Sequence, residues 1–133
     1  MNADIIDMSI FGQILEMDED ENDRSFSRDL IINYYQQAIE TFQKMDIALA
    51  SSDLPSLSNL GHFLKGSSSS LGIVKVRQIC EQIQHIGNLK EGNGTGEISP
   101  ADALSRLPIL VDGAKRTFIE AKDYLNSFYH IQM

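Results

Sequence analysis

Apolar residues recur at helical spacing along nearly the whole chain, and no stretch alternates apolar with polar as a half-buried strand would. Leu57, Leu60, Leu64 and Leu71 share one stripe at about 100° per residue, the period of a helix packed into a core. Ile6, Ile10, Ile14 and Met17 recur at i, i+4, i+8 and i+11, with Phe11 and Leu15 beside them, predicting a short first helix from about Asp7 to Met17. Leu30, Tyr34, Ala38, Thr41, Met45 and Leu49 form the inner face of a long second helix, expected to start at Ser25 as N-cap and to reach about Ala50. In the third helix Asp53 is the expected cap, Pro55 sits in the first turn where a missing N–H is harmless, and Gly72 ends it.

Val76, Ile79, Cys80, Ile83 and Ile86 predict a fourth helix over about Val74 to Leu89, followed by a flexible loop over Glu91 to Gly96. Ser99-Pro100 is expected to open a short helical piece that Pro108 interrupts, and a last helix then runs to about His130. Its expected inner face is Leu110, Ala114, Thr117, Ala121, Tyr124 and Phe128, with Val111, Phe118 and Leu125 alongside. Long amphipathic helices joined by short loops predict an all-α fold, an antiparallel four-helix bundle over roughly residues 25–130 with a short N-terminal helix over roughly 7–17 capping it. At 133 residues the chain is read as a single domain, 1–133.

The third helix carries one oddity. His62 lies roughly 160° from the middle of the leucine stripe, so it faces outward. Gly66, one turn on, shares that face, as does Ser69. A mid-helix glycine costs on the order of 1 kcal/mol relative to alanine. Here it removes the side chain that would stand over the imidazole. The run Ser67 to Ser70 is a poor helix former by itself, so tertiary packing has to hold this segment.

The net charge of −8 argues against nucleic acid, which requires a basic surface. The acidic run Asp18-Glu19-Asp20-Glu21-Asn22-Asp23 reads as a solvated interhelical loop, or as a long-range selector of partners. No apolar run approaches the roughly 20 residues needed to cross a membrane. Met1-Asn2-Ala3-Asp4 lacks the regions of a signal peptide. A lone Cys80 excludes an intramolecular disulfide framework and suits a reducing compartment.

An exposed imidazole is a possible phosphoryl acceptor, since histidine is mostly neutral at pH 7 and its nitrogen is then nucleophilic. Gly66 offers approach and Lys65 a mobile positive charge. The residue types also fit an ordinary exposed histidine beside a solvated lysine. His85 has no comparable context. Glu81 and His85 at i, i+4 form at best a weak metal pair, without the further Glu-x-x-His pairs of a di-metal bundle.

The string His62-Phe63-Leu64-Lys65-Gly66-Ser67-Ser68-Ser69-Ser70-Leu71-Gly72 resembles the histidine-containing phosphotransfer (HPt) family, with its His-x-x-Lys-Gly followed by small residues and Leu-Gly. Asn59-Leu60-Gly61, Cys80-Glu81-Gln82-Ile83-Gln84 and Phe26-Ser27-Arg28-Asp29-Leu30-Ile31 extend the likeness toward fungal members that relay osmotic and oxidative stress signals. The resemblance implies that His62 takes a phosphoryl group from a receiver-domain aspartyl phosphate and passes it to another receiver aspartate. Lys65 would help neutralise the phosphate, Gly66 would leave room for the partner, and Gln84 would hydrogen-bond the imidazole and fix its tautomer. Asn88 stands where close relatives can carry a basic residue. Receiver domains of a hybrid sensor histidine kinase and of response regulators would dock on Ile10, Ile14, Met17, Phe26 and Leu30, beside Ser69.

The resemblance implies no resident cofactor; the receiver would bring the Mg²⁺. No phosphate-binding Gly-x-x-x-x-Gly-Lys loop is present, so neither kinase nor ATPase activity is expected. A monomer suits such a shuttle, with the cytoplasm and also the nucleus as its location. The rival reading is a non-catalytic helical-bundle adaptor that binds receivers without transferring phosphate.

Overall fold

The computed structural model describes residues 3–132, so Met1 and Asn2 of the N-terminal reading lie outside the described residues. Within them the regular structure is five helices and no strand: α1 Met8–Leu15, α2 Ser25–Ala50, α3 Leu54–Leu71, α4 Val74–Gly87 and α5 Pro100–Tyr129. The long helices α2 to α5 form the antiparallel bundle that the periodicity predicts, and α1 covers one end of it. Phe11 of α1 sits edge-on to Phe128 and Tyr129 of α5, with ring centroids 5.9 and 6.4 Å apart. Deeper in the bundle Phe118 meets Tyr34, Tyr35 and Phe42 at 5.6 to 6.0 Å.

The start of α1 is tied to the turn between α3 and α4. Asp7 caps α1 by accepting from the Ser9 N–H. Its own N–H donates to the Gly72 carbonyl at 2.7 Å, and Val74 N–H donates to the Ile5 carbonyl at 3.1 Å. Gly72 ends α3 in the left-handed region at φ 73°, where a glycine carries no Cβ penalty. A Cβ there would also lie 2.7 Å from the Asp7 carbonyl. Asp53 caps α3 as expected, accepting from the Ser56 N–H and hydroxyl.

Several expectations need correction. The short piece before Pro108 does not exist separately: α5 runs through Pro108 unbroken. Pro108 faces solvent, and buried Ala103, Leu107, Val111 and Ala114 hold the helix on both sides of it. That packing offsets the hydrogen bond that proline cannot make. Ser25 is not the N-cap of α2; Arg24 occupies that position without a side-chain cap. The orphan N–H groups go instead to carboxylates, Asp23 accepting from Ser25 and Asp18 from Ser27. α1 ends at Leu15 and α4 at Gly87, short of Met17 and Leu89.

The inner face of α5 is turned from the expected line. Val111, Ala114, Phe118, Ala121, Leu125 and Tyr129 are buried, whereas Leu110, Thr117, Tyr124 and Phe128 are half-buried. The helix packs on both α2 and α4, so its buried ridge falls between the two candidate lines. On α2, Ile31, Tyr35 and Phe42 join the core, while Leu30 and Leu49 stay at its edge.

Candidate functional site

His62 lies in the middle of α3 with its side chain exposed. Among the described residues it has no hydrogen-bond or ion-pair partner. One turn on, Gly66 is exposed, and a Cβ built on it would meet nothing within 4 Å. The glycine is therefore not demanded by packing inside this molecule. Lys65 stands on the α4 flank of the same face, its Nζ 3.6 Å from a carboxylate oxygen of Glu81. On the other flank Ser67 reaches Gln37 of α2 at 3.5 Å. The exposed ring of Phe63, 100° around the helix from His62, lies on that side. Phe63 is a surface aromatic that apolar periodicity does not assign to the core, and its place directly after His62 is the sequence signal for it.

The backbone behind His62 is held by contact with α4. A Cβ on Gly61 would lie 2.9 Å from both the Cys80 carbonyl oxygen and the Gln84 nitrogen. Ser58 donates its hydroxyl to the Gln84 carbonyl at 2.9 Å, and a Cβ on Gly87 would sit 2.8 Å from the Ser58 nitrogen. Small residues thus let the two helices touch backbone to backbone and fix Gln84 in register with His62. The two side chains make no hydrogen bond to each other here. Gln84 Oε1 is buried and accepts no hydrogen bond. Such an orphan acceptor costs about 1–3 kcal/mol and calls for a donor. Cys80 is fully buried behind this seam, and burial pushes its thiol up to about 12, so it stays protonated and inert.

Small residues serve elsewhere on α3 as well. Ser68 is buried and hydrogen-bonded to the Tyr34 hydroxyl at 2.8 Å, and burial raises the Tyr34 phenol well above its ordinary range. Ser70 is exposed and returns its hydroxyl to the Gly66 carbonyl at 3.0 Å. Ser69 and Ile10 line one shallow cleft of about 260 Å³ with Asp7, Met8, Gly72 and Arg77.

The residues expected to receive a partner divide in two. Met17 and Phe26 are 59% and 53% exposed and line a common cleft with Asp18, Glu19, Asp20 and Asp23. Ile10 and Leu30 are half-buried. Ile14 is only 7% exposed and belongs to the core, so its side chain holds α1 onto the bundle rather than facing outward. Met8, 41% exposed, joins the surface although it lies off the apolar line that predicts α1.

The acidic run is not uniformly solvated. The Asp18 carboxylate is 1% exposed and accepts from both the Ser27 N–H, at 2.9 Å, and the Ser27 hydroxyl, at 2.7 Å. Tyr129 donates to that hydroxyl at 2.8 Å, and Arg24 lies 3.6 Å from the carboxylate. This cluster joins the α1–α2 loop to the start of α2 and the end of α5. Glu19 to Asp23 remain exposed beside Met17 and Phe26. Among the described residues no helix is long and apolar enough to cross a membrane.

Residues 29–117 match the Hpt domain family. Multistep phosphorelay regulator 1 of Schizosaccharomyces pombe is 40% identical over 126 residues, 94% of this chain and 42% of that protein. The phosphorelay intermediate protein YPD1 of Saccharomyces cerevisiae is 43% identical over 90 residues, 67% of this chain and 53% of that one. The chain spans about half the length of the curated relatives it matches. Among solved structures, the co-crystal of the S. cerevisiae histidine phosphotransfer signaling protein Ypd1 with the receiver domain of its downstream response regulator Ssk1 matches with a TM-score of 0.86 and 30% identity, covering 99% of both chains.

Proposed function

The chain belongs to the Hpt domain family, and from that premise we propose that it is a phosphorelay intermediate whose phosphoacceptor is His62. A lone-pair nitrogen of the imidazole attacks the phosphorus of a receiver's aspartyl phosphate. The N–P bond forms, the P–O bond to the aspartyl oxygen breaks, and its electron pair leaves with the carboxylate. Onward transfer is the reverse step on a second receiver aspartate. The transferring group needs in-line positioning and charge neutralisation more than covalent help. Lys65 supplies positive charge, and the bare surface at Gly66 admits the receiver's loops. The Mg²⁺ comes with the receiver, and the chain has no kinase or ATPase activity of its own.

Gln84 completes the site in this reading. Its buried oxygen accepts no hydrogen bond, and the close approach of Gly61 to the Gln84 backbone supports pairing it with an N–H of the neighbouring His62 imidazole. That bond would hold the second ring nitrogen protonated and leave the other free for phosphorus.

Receivers of a hybrid sensor histidine kinase and of response regulators dock over His62 and the apolar surface of Met17 and Phe26, with Ile10, Leu30 and Ser69 at its margin and Ile14 beneath it. The co-crystal of Ypd1 with a receiver domain supports this partner class for the present chain. We place the protein, a monomer, in the cytoplasm and the nucleus.

The observation that carries the proposal is the exposed, unpartnered His62 beside an open glycine surface and a lysine. A reconstituted relay tests it. Label on one receiver should reach a second receiver when this chain is added, and His62→Gln should stop the flow while still binding receivers. Continued flow through His62→Gln would overturn the proposal. Receiver binding without any transfer by the unaltered protein would leave the adaptor reading in its place.

A further inference from the structure

Resting on the reading of His62 as phosphoacceptor, we propose that Glu81 is a positioning residue that holds Lys65 and keeps the phosphoryl group on His62 labile. Glu81 lies on α4, one turn before Gln84, and its carboxylate is 3.6 Å from the Lys65 ammonium. Both side chains are partly solvated, at 30% and 40% exposure. An ion pair this wet adds little to stability. Its significance lies in where it puts the charge. The ammonium is a mobile point charge on a flexible stem, and in this state a carboxylate draws it toward α4.

A phosphoryl group on His62 adds close to two negative charges, as it does on other side chains. Lys65 then has two anions to serve, so the phosphoryl oxygens receive only part of its field. The Glu81 carboxylate also repels those oxygens directly. Both effects raise the free energy of phospho-His62 relative to an aspartyl phosphate and to inorganic phosphate. A carrier needs that poise, because too stable an N–P bond would store the group instead of releasing it. The same bond is lost in hydrolysis, where a water oxygen bonds to phosphorus and gives its proton to solvent. The N–P electron pair then returns to the ring nitrogen.

Glu81→Gln removes the charge and keeps the shape, and the partly solvated position leaves the fold intact. The half-life of phospho-His62 in receiver-free protein, and the equilibrium ratio of phospho-His62 to receiver aspartyl phosphate, are measured in four proteins. These are the unaltered chain, Glu81→Gln, Lys65→Ala and the double variant. Glu81→Gln should lengthen the half-life and shift the ratio toward His62, each on the order of threefold, the scale of a solvated charge interaction. The shift should be clearly smaller when Lys65 is absent. No change in Glu81→Gln, or an undiminished change without Lys65, would overturn the positioning role. An unaltered chain that takes no phosphoryl group on His62 would overturn the underlying functional reading before any variant is compared.

Discussion

Two glycines five residues apart on α3, Gly61 and Gly66, should respond to the same substitution in opposite directions. At Gly66 an added methyl meets nothing within 4 Å, so Gly66→Ala gains helix propensity without cost. The gain is about 1 kcal/mol, or roughly 3–5 °C in Tm for a domain of this size. At Gly61 the same propensity gain is opposed by contacts of 2.9 Å with the Cys80 carbonyl oxygen and the Gln84 nitrogen and 3.0 Å with Ile83 Cγ2. Two of those atoms are backbone and cannot rotate aside, so α4 must move as a body. Overpacking of this kind costs about 1–3 kcal/mol, and rigid neighbours place it at the upper end. The net loss for Gly61→Ala is then about 2 kcal/mol, and the two variants should differ by about 3 kcal/mol. Urea denaturation followed by circular dichroism measures both on one scale. A Gly61→Ala protein as stable as the parent, or two variants shifting in the same direction, would refute the backbone contact as the reason for glycine at Gly61.

Other perturbations test the corrected parts of the fold. Pro108→Ala should raise stability by about 1–3 kcal/mol in thermal unfolding, because α5 already runs through this exposed position and regains a hydrogen bond. Asp18→Ala should cost about 2–3 kcal/mol in chemical denaturation, since it strips a buried carboxylate from the Ser27 N–H and hydroxyl. Acid should loosen the starts of α1 and α3. Hydrogen bonds from the Ser9 and Ser56 side chains, and then from their backbone N–H groups, hold the Asp7 and Asp53 carboxyls below their ordinary value. A lowered folded value means that the unfolded chain binds more protons, so this stabilisation is full above the usual carboxylate range near pH ~4 and is lost as pH falls through the lowered values. Helicity followed from pH 6 to 2 should fall earlier and less steeply in a protein carrying Asp7→Asn and Asp53→Asn, which lacks both titrations.

The parts of this fold that one helix decides for itself were legible in the sequence. The leucine stripe of α3, its Asp53 cap, its end at Gly72 and the outward direction of His62 all follow from local period and local chemistry. Features that depend on what lies opposite were not. Asp18 looks like one more acid in a solvated run, and only the tertiary arrangement brings the start of α2 and Tyr129 to it. Pro108 carries a strong local signal to stop, which packing on both sides outweighs. Ile14 sits on the same sequence stripe as Met17, yet one is core and the other surface, because α1 ends between them at Leu15. Gly61 looked like any glycine until the approach of Cys80 and Gln84 explained it. Around His62 the sequence pattern located the outward histidine and the neighbouring lysine, while the Lys65–Glu81 pair required the register of α3 against α4.

The central claim is that phosphate resides on the ring of His62. The most direct measurement is to incubate the chain with a phosphorylated receiver domain and map the modified residue by mass spectrometry at alkaline pH. The account predicts a single acid-labile, alkali-stable phosphoramidate on His62, with none on His85 or His130 and none formed in His62→Gln. Phosphate found on another residue, or persisting at the same level in His62→Gln, would contradict it.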